Sequence, residues 1–104
     1  DAARSFERAA QLAPEQAQAW SLSGACALEM GRPERAVRHL EMAWRLAPDD
    51  PLISANLGTA YLRLGRNEAA AAVWRAGLER RPDDPLLRRS LMVALSRIGK
   101  SASP

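Results

Sequence analysis

The sequence predicts an all-α protein in which antiparallel helix pairs stack into a solenoid, and three observations predict it. Pro14, Pro48 and Pro82 are 34 residues apart, each closing a near-copy of one phrase: AAQLAP, AWRLAP and GLERRP. Gly31, Gly65 and Gly99 follow at the same interval of 34, each with a basic residue after it (Arg32, Arg66 and Lys100). Alanine is abundant and aromatic residues make up only 5%, so helices must approach closely over small side chains while a few large ones fill the gaps. One proline stop and one glycine stop per period mean two helices per repeat, a unit that buries its apolar face only by stacking on its neighbours.

Six helices are expected from these stops and from apolar residues at 3.6-residue spacing. The first runs from about Ala2 to Leu12, with Ala2, Phe6, Ala9, Ala10 and Leu12 inward. The second covers Pro14 or Gln16 to Met30 and is closed by Gly31, because glycine takes the left-handed C-cap conformation without strain. The third opens on Pro33, a good first-turn residue, and places Ala36, Val37, Leu40, Ala43 and Trp44 on its apolar side up to Leu46. The fourth starts at Asp50-Pro51, where the aspartate caps and the proline fills the first turn, and ends at Leu64 before Gly65. The fifth spans about Asn67 to Arg80. The sixth runs from Asp84-Pro85 through Leu86, Leu87, Leu91, Met92, Leu95 and Ile98 to Gly99, with Arg88, Arg89, Ser96 and Arg97 on its other side. Connections of two to four residues make consecutive helices antiparallel neighbours. This divides residues 1–99 into a half repeat (1–14), two repeats (15–48 and 49–82) and a terminal helix (83–99), with 100–104 as a flexible tail.

Composition bounds the function classes. At 104 residues, 47% apolar and 26% charged, the chain reads as one ordinary globular domain. No apolar run approaches the roughly 20 residues of a membrane span, and no leader pattern opens the chain. The chain begins inside a repeat without methionine, so the expectation is a segment of a larger protein, of bacterial type, placed in the cytoplasm unless an upstream signal or anchor says otherwise. A net charge of +3, carried almost wholly by arginine and interleaved with acids, does not point to nucleic acid. Cys26 is the only cysteine, which excludes an internal disulfide and a cysteine zinc cage, and Ala25 and Ala27 beside it suggest a small packed position.

Catalysis finds no support. His39 is the only histidine, flanked by Arg38 and Glu41 on an expected outer face, so neither a metal set nor a catalytic triad can be assembled, and no cofactor is expected. Asp49-Asp50 and Asp83-Asp84 look like paired carboxylates but recur after the stop prolines, as helix N-caps do. Trp20, Trp44 and Trp74 read as core plugs before they read as a ligand cage.

The repeats resemble the tetratricopeptide family, whose pattern is W-x2-L-G-x2-Y, then A-x3-F, then P. One copy reads Trp20-x2-Ser23-Gly24-x2-Ala27, Ala36-x3-Leu40, Ala43 and Pro48; the next reads Ser54-x2-Leu57-Gly58-x2-Tyr61, Ala70-x3-Trp74, Gly77 and Pro82. A half copy precedes them (Ala2-x3-Phe6, Ala9, Pro14) and Arg88-x2-Leu91-Met92-x2-Leu95 begins another. In this pattern Gly24, Gly58, Ala36 and Ala70 allow close approach, while Phe6, Trp20, Leu40, Tyr61 and Trp74 fill the gaps. The 34-residue period sets the chain apart from the 35-residue pentatricopeptide class that reads RNA.

The resemblance implies a right-handed solenoid whose first helix in each repeat lines a concave groove for a partner peptide or helix. By register, Gln18, Ser21, Leu22, Ala25, Leu28 and Glu29 come to the groove from the second helix. Leu52, Ala55, Asn56, Thr59, Leu62 and Arg63 come from the fourth, and Leu86, Arg89, Ser90, Val93, Ser96 and Arg97 from the sixth. Asn56 matches a groove asparagine that bonds a peptide main chain in this family, and Arg63, Arg89 and Arg97 suit an acidic peptide or a terminal carboxylate; each also reads as a solvated helix residue. The two-carboxylate clamp of chaperone-binding members is not matched, because Ser21, Ala25, Leu86 and Ser90 stand where its Lys, Asn and Arg belong. The expected function is a non-enzymatic protein-interaction scaffold, with groove residues Ser21, Ala25, Asn56, Thr59, Arg63, Arg89, Val93 and Arg97. A structural module that self-associates end to end through the N-terminal helix and Phe6 is the alternative, and RNA binding the weakest one.

Overall fold

The computed structural model describes the backbone of residues 2–102 and the side chains of residues 15–99. Five helices follow one another: α1 (Ala2–Glu29), α2 (Pro33–Leu46), α3 (Pro51–Arg63), α4 (Asn67–Arg80) and α5 (Pro85–Ala102), with no strand among the described residues. The count is five rather than the expected six, because no break occurs at Pro14 and the first two expected helices are one. Phe6, Ala2, Ala9, Ala10 and Leu12, expected inward, have side chains outside the described residues.

Comparison of the three proline phrases explains the missing break. After α2 and after α4 the chain reads Pro-Asp-Asp-Pro, at 48–51 and 82–85. There the Asp50 and Asp84 amides close i→i+3 turns onto the Ala47 and Arg81 carbonyls, each at 3.2 Å, with proline at the second turn position. The same aspartates then cap the next helix: Asp50 Oδ1 accepts from the Leu52 amide at 2.9 Å, and Asp84 Oδ1 from the Leu86 and Leu87 amides at 3.0 and 3.1 Å. After Pro14 the chain reads Glu15-Gln16-Ala17, with neither cap nor second proline, and these three are helix formers. A proline alone is a weaker stop than a proline joined to a cap.

The glycine stops separate in the same way. Gly31 and Gly65 take φ of +73° and +77°. Each ends its helix in a Schellman motif: Arg32 N–H reaches Ala27 O at 2.8 Å and Gly31 N–H reaches Leu28 O, while Arg66 N–H reaches Tyr61 O at 2.9 Å and Gly65 N–H reaches Leu62 O. Gly99 has no such conformation, and α5 continues through it to Ala102, so it is not the expected stop. The left-handed glycine thus marks the α1–α2 and α3–α4 turns, and the Pro-Asp-Asp-Pro phrase the other two.

Consecutive helices pack on each other, and α1 also meets α3 as α3 meets α5; α2 and α4 do not meet among the described residues. The result is a stepped row of hairpins, 60 × 30 × 20 Å, with α1, α3 and α5 adjoining on one side. Asp49, in the α2–α3 turn, ties the rows together: its carboxylate pairs with Arg80 and its carbonyl accepts from Arg81 Nε at 3.0 Å.

The core is built from small residues opposite large ones. A Cβ on Gly24 would collide with the Leu40 side chain, and one on Gly58 with the Trp74 indole, so both glycines permit contacts that alanine would block. The two pairs are one contact repeated 34 residues later. Gly77 plays the same part at the next junction, where a Cβ would lie 2.9 Å from Leu87 Cδ1 and 3.3 Å from Ser54 Cβ. Ala36, Ala70, Leu40, Ile53, Leu57, Trp74 and Leu87 are fully buried. Of the tryptophans expected as plugs, Trp74 is buried, whereas Trp20 and Trp44 are half-buried.

Candidate functional site

Each inner helix spends part of its circumference on the core and leaves the rest open. On α1 the buried positions are Ala17, Ser21, Gly24, Ala27 and Leu28, and on α3 they are Ile53, Ser54, Ala55, Leu57, Gly58 and Ala60. What remains outward on this side is apolar, as the register of Leu22, Leu52 and Leu86 leads one to expect. Leu22 is 61% exposed, Leu52 58% and Leu86 51%, where ordinary surface positions carry charge.

Leu22 and Leu52 border a hollow of about 310 Å³ between α1 and α3, with Ala17, Gln18, Ser21, Ala47 and Asp50 completing its wall. A second, shallower hollow of about 370 Å³ lies on α5 among Arg89, Met92, Val93, Ser96 and Arg97. The structure therefore gathers Ser21 into the first hollow and Arg89, Val93 and Arg97 into the second. Ala25, Asn56 and Thr59 are half-buried on α1 and α3. The Thr59 hydroxyl is turned inward on its own helix, donating to the Ala55 carbonyl at 2.8 Å.

Arg63, expected with Arg89 and Arg97 in the groove, is exposed on α3 and bonded to α1. Its guanidinium Nη1 donates to the Leu28 carbonyl at 2.7 Å, which also accepts from the Gly31 amide, at the C-terminal turn of α1 where a cation is favoured. It joins α3 to α1, and this leaves Arg89 and Arg97 as the basic pair of the open side. Leu28, expected in the groove, is buried.

Three further expectations change. Cys26 is exposed rather than packed, since Gly24, Ala27 and Leu28 take the inward positions of that turn. His39 is not on an outer face: its Nδ1 lies 2.7 Å from the Ser23 hydroxyl and its ring meets Trp20 edge-on at 5.3 Å, joining α2 to α1. Tyr61 is more than a space-filler, because its hydroxyl donates to Glu41 Oε1 across the α2–α3 contact. Burial, together with the adjacent Glu41 carboxylate, pushes the phenol up to about 12.

Ala17, Ala47 and Asp50 were not expected in the site. Ala47 and Asp50 belong to the turn between α2 and α3, so helix register alone does not reveal them. The Pro-Asp-Asp-Pro phrase carries the signal, since the turn it specifies returns the chain beside α1.

Hairpins repeating every 34 residues, with adjoining inner helices that leave apolar and basic hollows open, define a helical-repeat protein. The sequence model of the tetratricopeptide repeat matches residues 1–54 and 27–95, nearly the whole chain between them, and the chain belongs to that family. Tetratricopeptide repeats are generally protein–protein interaction modules, and the family is typically a non-enzymatic scaffold. No curated protein matches the chain. Among the described residues no helix is long and apolar enough to cross a membrane.

Proposed function

We propose that the repeat units 15–48 and 49–82, with the terminal helix of 83–99, form a right-handed solenoid segment whose open inner side binds a partner peptide or helix. The observation that carries this reading is the row Leu22, Leu52 and Leu86, three leucines more than half exposed on adjoining helices, with the α1–α3 hollow beside the first two. An exposed leucine row on a water-facing surface has a use when a partner's apolar side chain covers it.

The proposed contacts are Ser21 and Ala25 on α1, Asn56 and Thr59 on α3, and Arg89, Val93 and Arg97 on α5, with Arg63 holding the α1–α3 spacing rather than meeting the partner. Apolar contact at the leucine row supplies affinity, and Arg89 with Arg97 favours a partner with carboxylates at that end.

The test is selection from a random peptide display library, followed by affinity measurement with the double variant Leu22→Glu/Leu52→Glu. Two charges placed on the row are expected to weaken selected peptides by about tenfold or more, while the helical circular dichroism is kept because both positions are exposed. Undiminished binding by the double variant would overturn the groove reading.

A further inference from the structure

The same face of α3 and α5 meets different surroundings. On α3, Ser54, Ala55 and Gly58 are buried and Tyr61 and Leu62 half-buried; Trp74 of α4 lies on Gly58, Gly77 of α4 is beside Ser54, and α2 meets Tyr61 through Glu41. Thirty-four residues later the equivalent positions of α5 are Arg88, Arg89, Met92, Leu95 and Ser96, all exposed, with Met92 at 72% and Leu95 at 40%. A buried serine, alanine and glycine have become two arginines and a methionine.

This replacement decides what can cover the face. Met92 stands where Gly58 leaves room for the Trp74 indole, so the hole has become a knob. A helix packed as α4 packs on α3 would collide with Met92 and bury Arg88 and Arg89 without partners, which is costly for a charge. Among the described residues neither arginine pairs with a carboxylate. α5 also contains Arg97 and Lys100 and no acidic residue, and these four charges exceed the chain's net +3, so the rest of the chain taken together is slightly acidic.

We propose that this face of α5 is a second docking surface, separate from the leucine row of α1 and α3 and sharing Arg89 and Met92 with the α5 hollow, for an acidic helix that sets a small residue against Met92 and carboxylates against Arg88 and Arg89. The occupant's helical form follows from α3, where a helix already fills the equivalent surface. Its acidity follows from the two unpaired guanidinium groups. A second copy docking α5 on α5 would oppose like charges. A membrane surface fits poorly, because Arg88 lies between Met92 and Leu95 on the helix, at i+4 and i+7, and cannot be separated from them.

The test uses synthetic alanine-rich helical peptides of about 20 residues with glutamates along one edge, and the same peptides with lysine in place of glutamate. Their affinity for the 104-residue chain is read by fluorescence anisotropy, and their site by amide chemical shifts in a ¹⁵N-labelled sample. The expected result is binding of the glutamate peptides, with shifts at Arg88, Arg89, Met92 and Leu95 and little change at Leu22 and Leu52. Arg88→Glu/Arg89→Glu is expected to weaken that binding at least about tenfold and to transfer it to the lysine peptides. Met92→Glu weakens it too, while Leu22→Glu/Leu52→Glu leaves it intact. Circular dichroism confirms that each variant folds.

Absence of binding by every glutamate peptide would overturn the proposal. So would shifts confined to α1 and α3, a result that leaves the groove reading standing. Retention by phosphatidylserine vesicles without peptide binding, or a dimer that Met92→Glu dissociates, would overturn it in favour of a membrane or a second copy.

Discussion

Helices α3 and α5 hold the same register in consecutive repeats, yet one is enclosed and the other is half open. On α3 Ser54 and Gly58 are small where α4 lies over them and the Tyr61 phenol is bonded to Glu41 of α2; on α5 the matching Arg88, Met92 and Leu95 face outward. The 34-residue period dictates where a residue lies on its helix. Whether that place is core or surface depends on whether another helix covers it. Substitutions at matched positions measure this difference directly.

The largest contrast is expected between Trp74→Ala and Met92→Ala. Trp74 is buried against Gly58, and its removal should cost about 3–5 kcal/mol, enough to abolish most of the stability of a small domain. Met92→Ala on the open face should change stability by less than about 0.5 kcal/mol. Urea unfolding followed at 222 nm compares them, and equal losses would refute the difference between the two faces.

Gly58→Ala comes next. The added methyl meets the Trp74 ring, and an indole packed on all sides has nowhere to go, so a loss of about 1–3 kcal/mol is expected despite alanine's better helix propensity. A gain in stability at this position would show that the α3–α4 contact is looser than described.

Asp84→Ala removes two amide caps at the start of α5 and should cost about 1 kcal/mol. Asp50→Ala loses the one bond to the Leu52 amide and should cost no more. A reversed order in the same unfolding assay would contradict the cap geometry.

A last difference is read against pH rather than by truncation, at Tyr61. Its phenol titrates at about 12 in the folded chain against an ordinary 10.0, so the stabilising contribution of the neutral form is complete below pH 10 and is lost as pH rises from 10 toward 12. Tyr61→Phe should flatten this decline in unfolding midpoint, and an unchanged slope would assign the decline to other groups.

Much of the architecture was legible from spacing because small and large residues recur together. Gly24 with Leu40 and Gly58 with Trp74 are readable as contacts once the period is known, and Asp50 and Asp84 as caps once the prolines beside them are seen. The inner-side leucines were equally legible as a row, since register places Leu22, Leu52 and Leu86 on the same side of their helices. Arg63 was not, because its bond to the Leu28 carbonyl joins residues 35 apart on different helices and depends on how closely α3 packs on α1. The hollow beside Leu22 was only half legible, since Ala47 and Asp50 reach it through a turn.

The helical class, the repeat length, all four sharp turns between helices and the glycine–plug pairs of the core are written in residue chemistry and spacing. These are local or periodic properties, set by caps, turn residues and steric size at fixed intervals. What the packing of the helices adds is that Arg63 reaches the Leu28 carbonyl while Arg89 and Arg97 stay open, and that Arg88 and Met92 of α5 are exposed. Each of these depends on whether another segment folds back against the residue, and that is a property of neighbours in space rather than of neighbours in sequence.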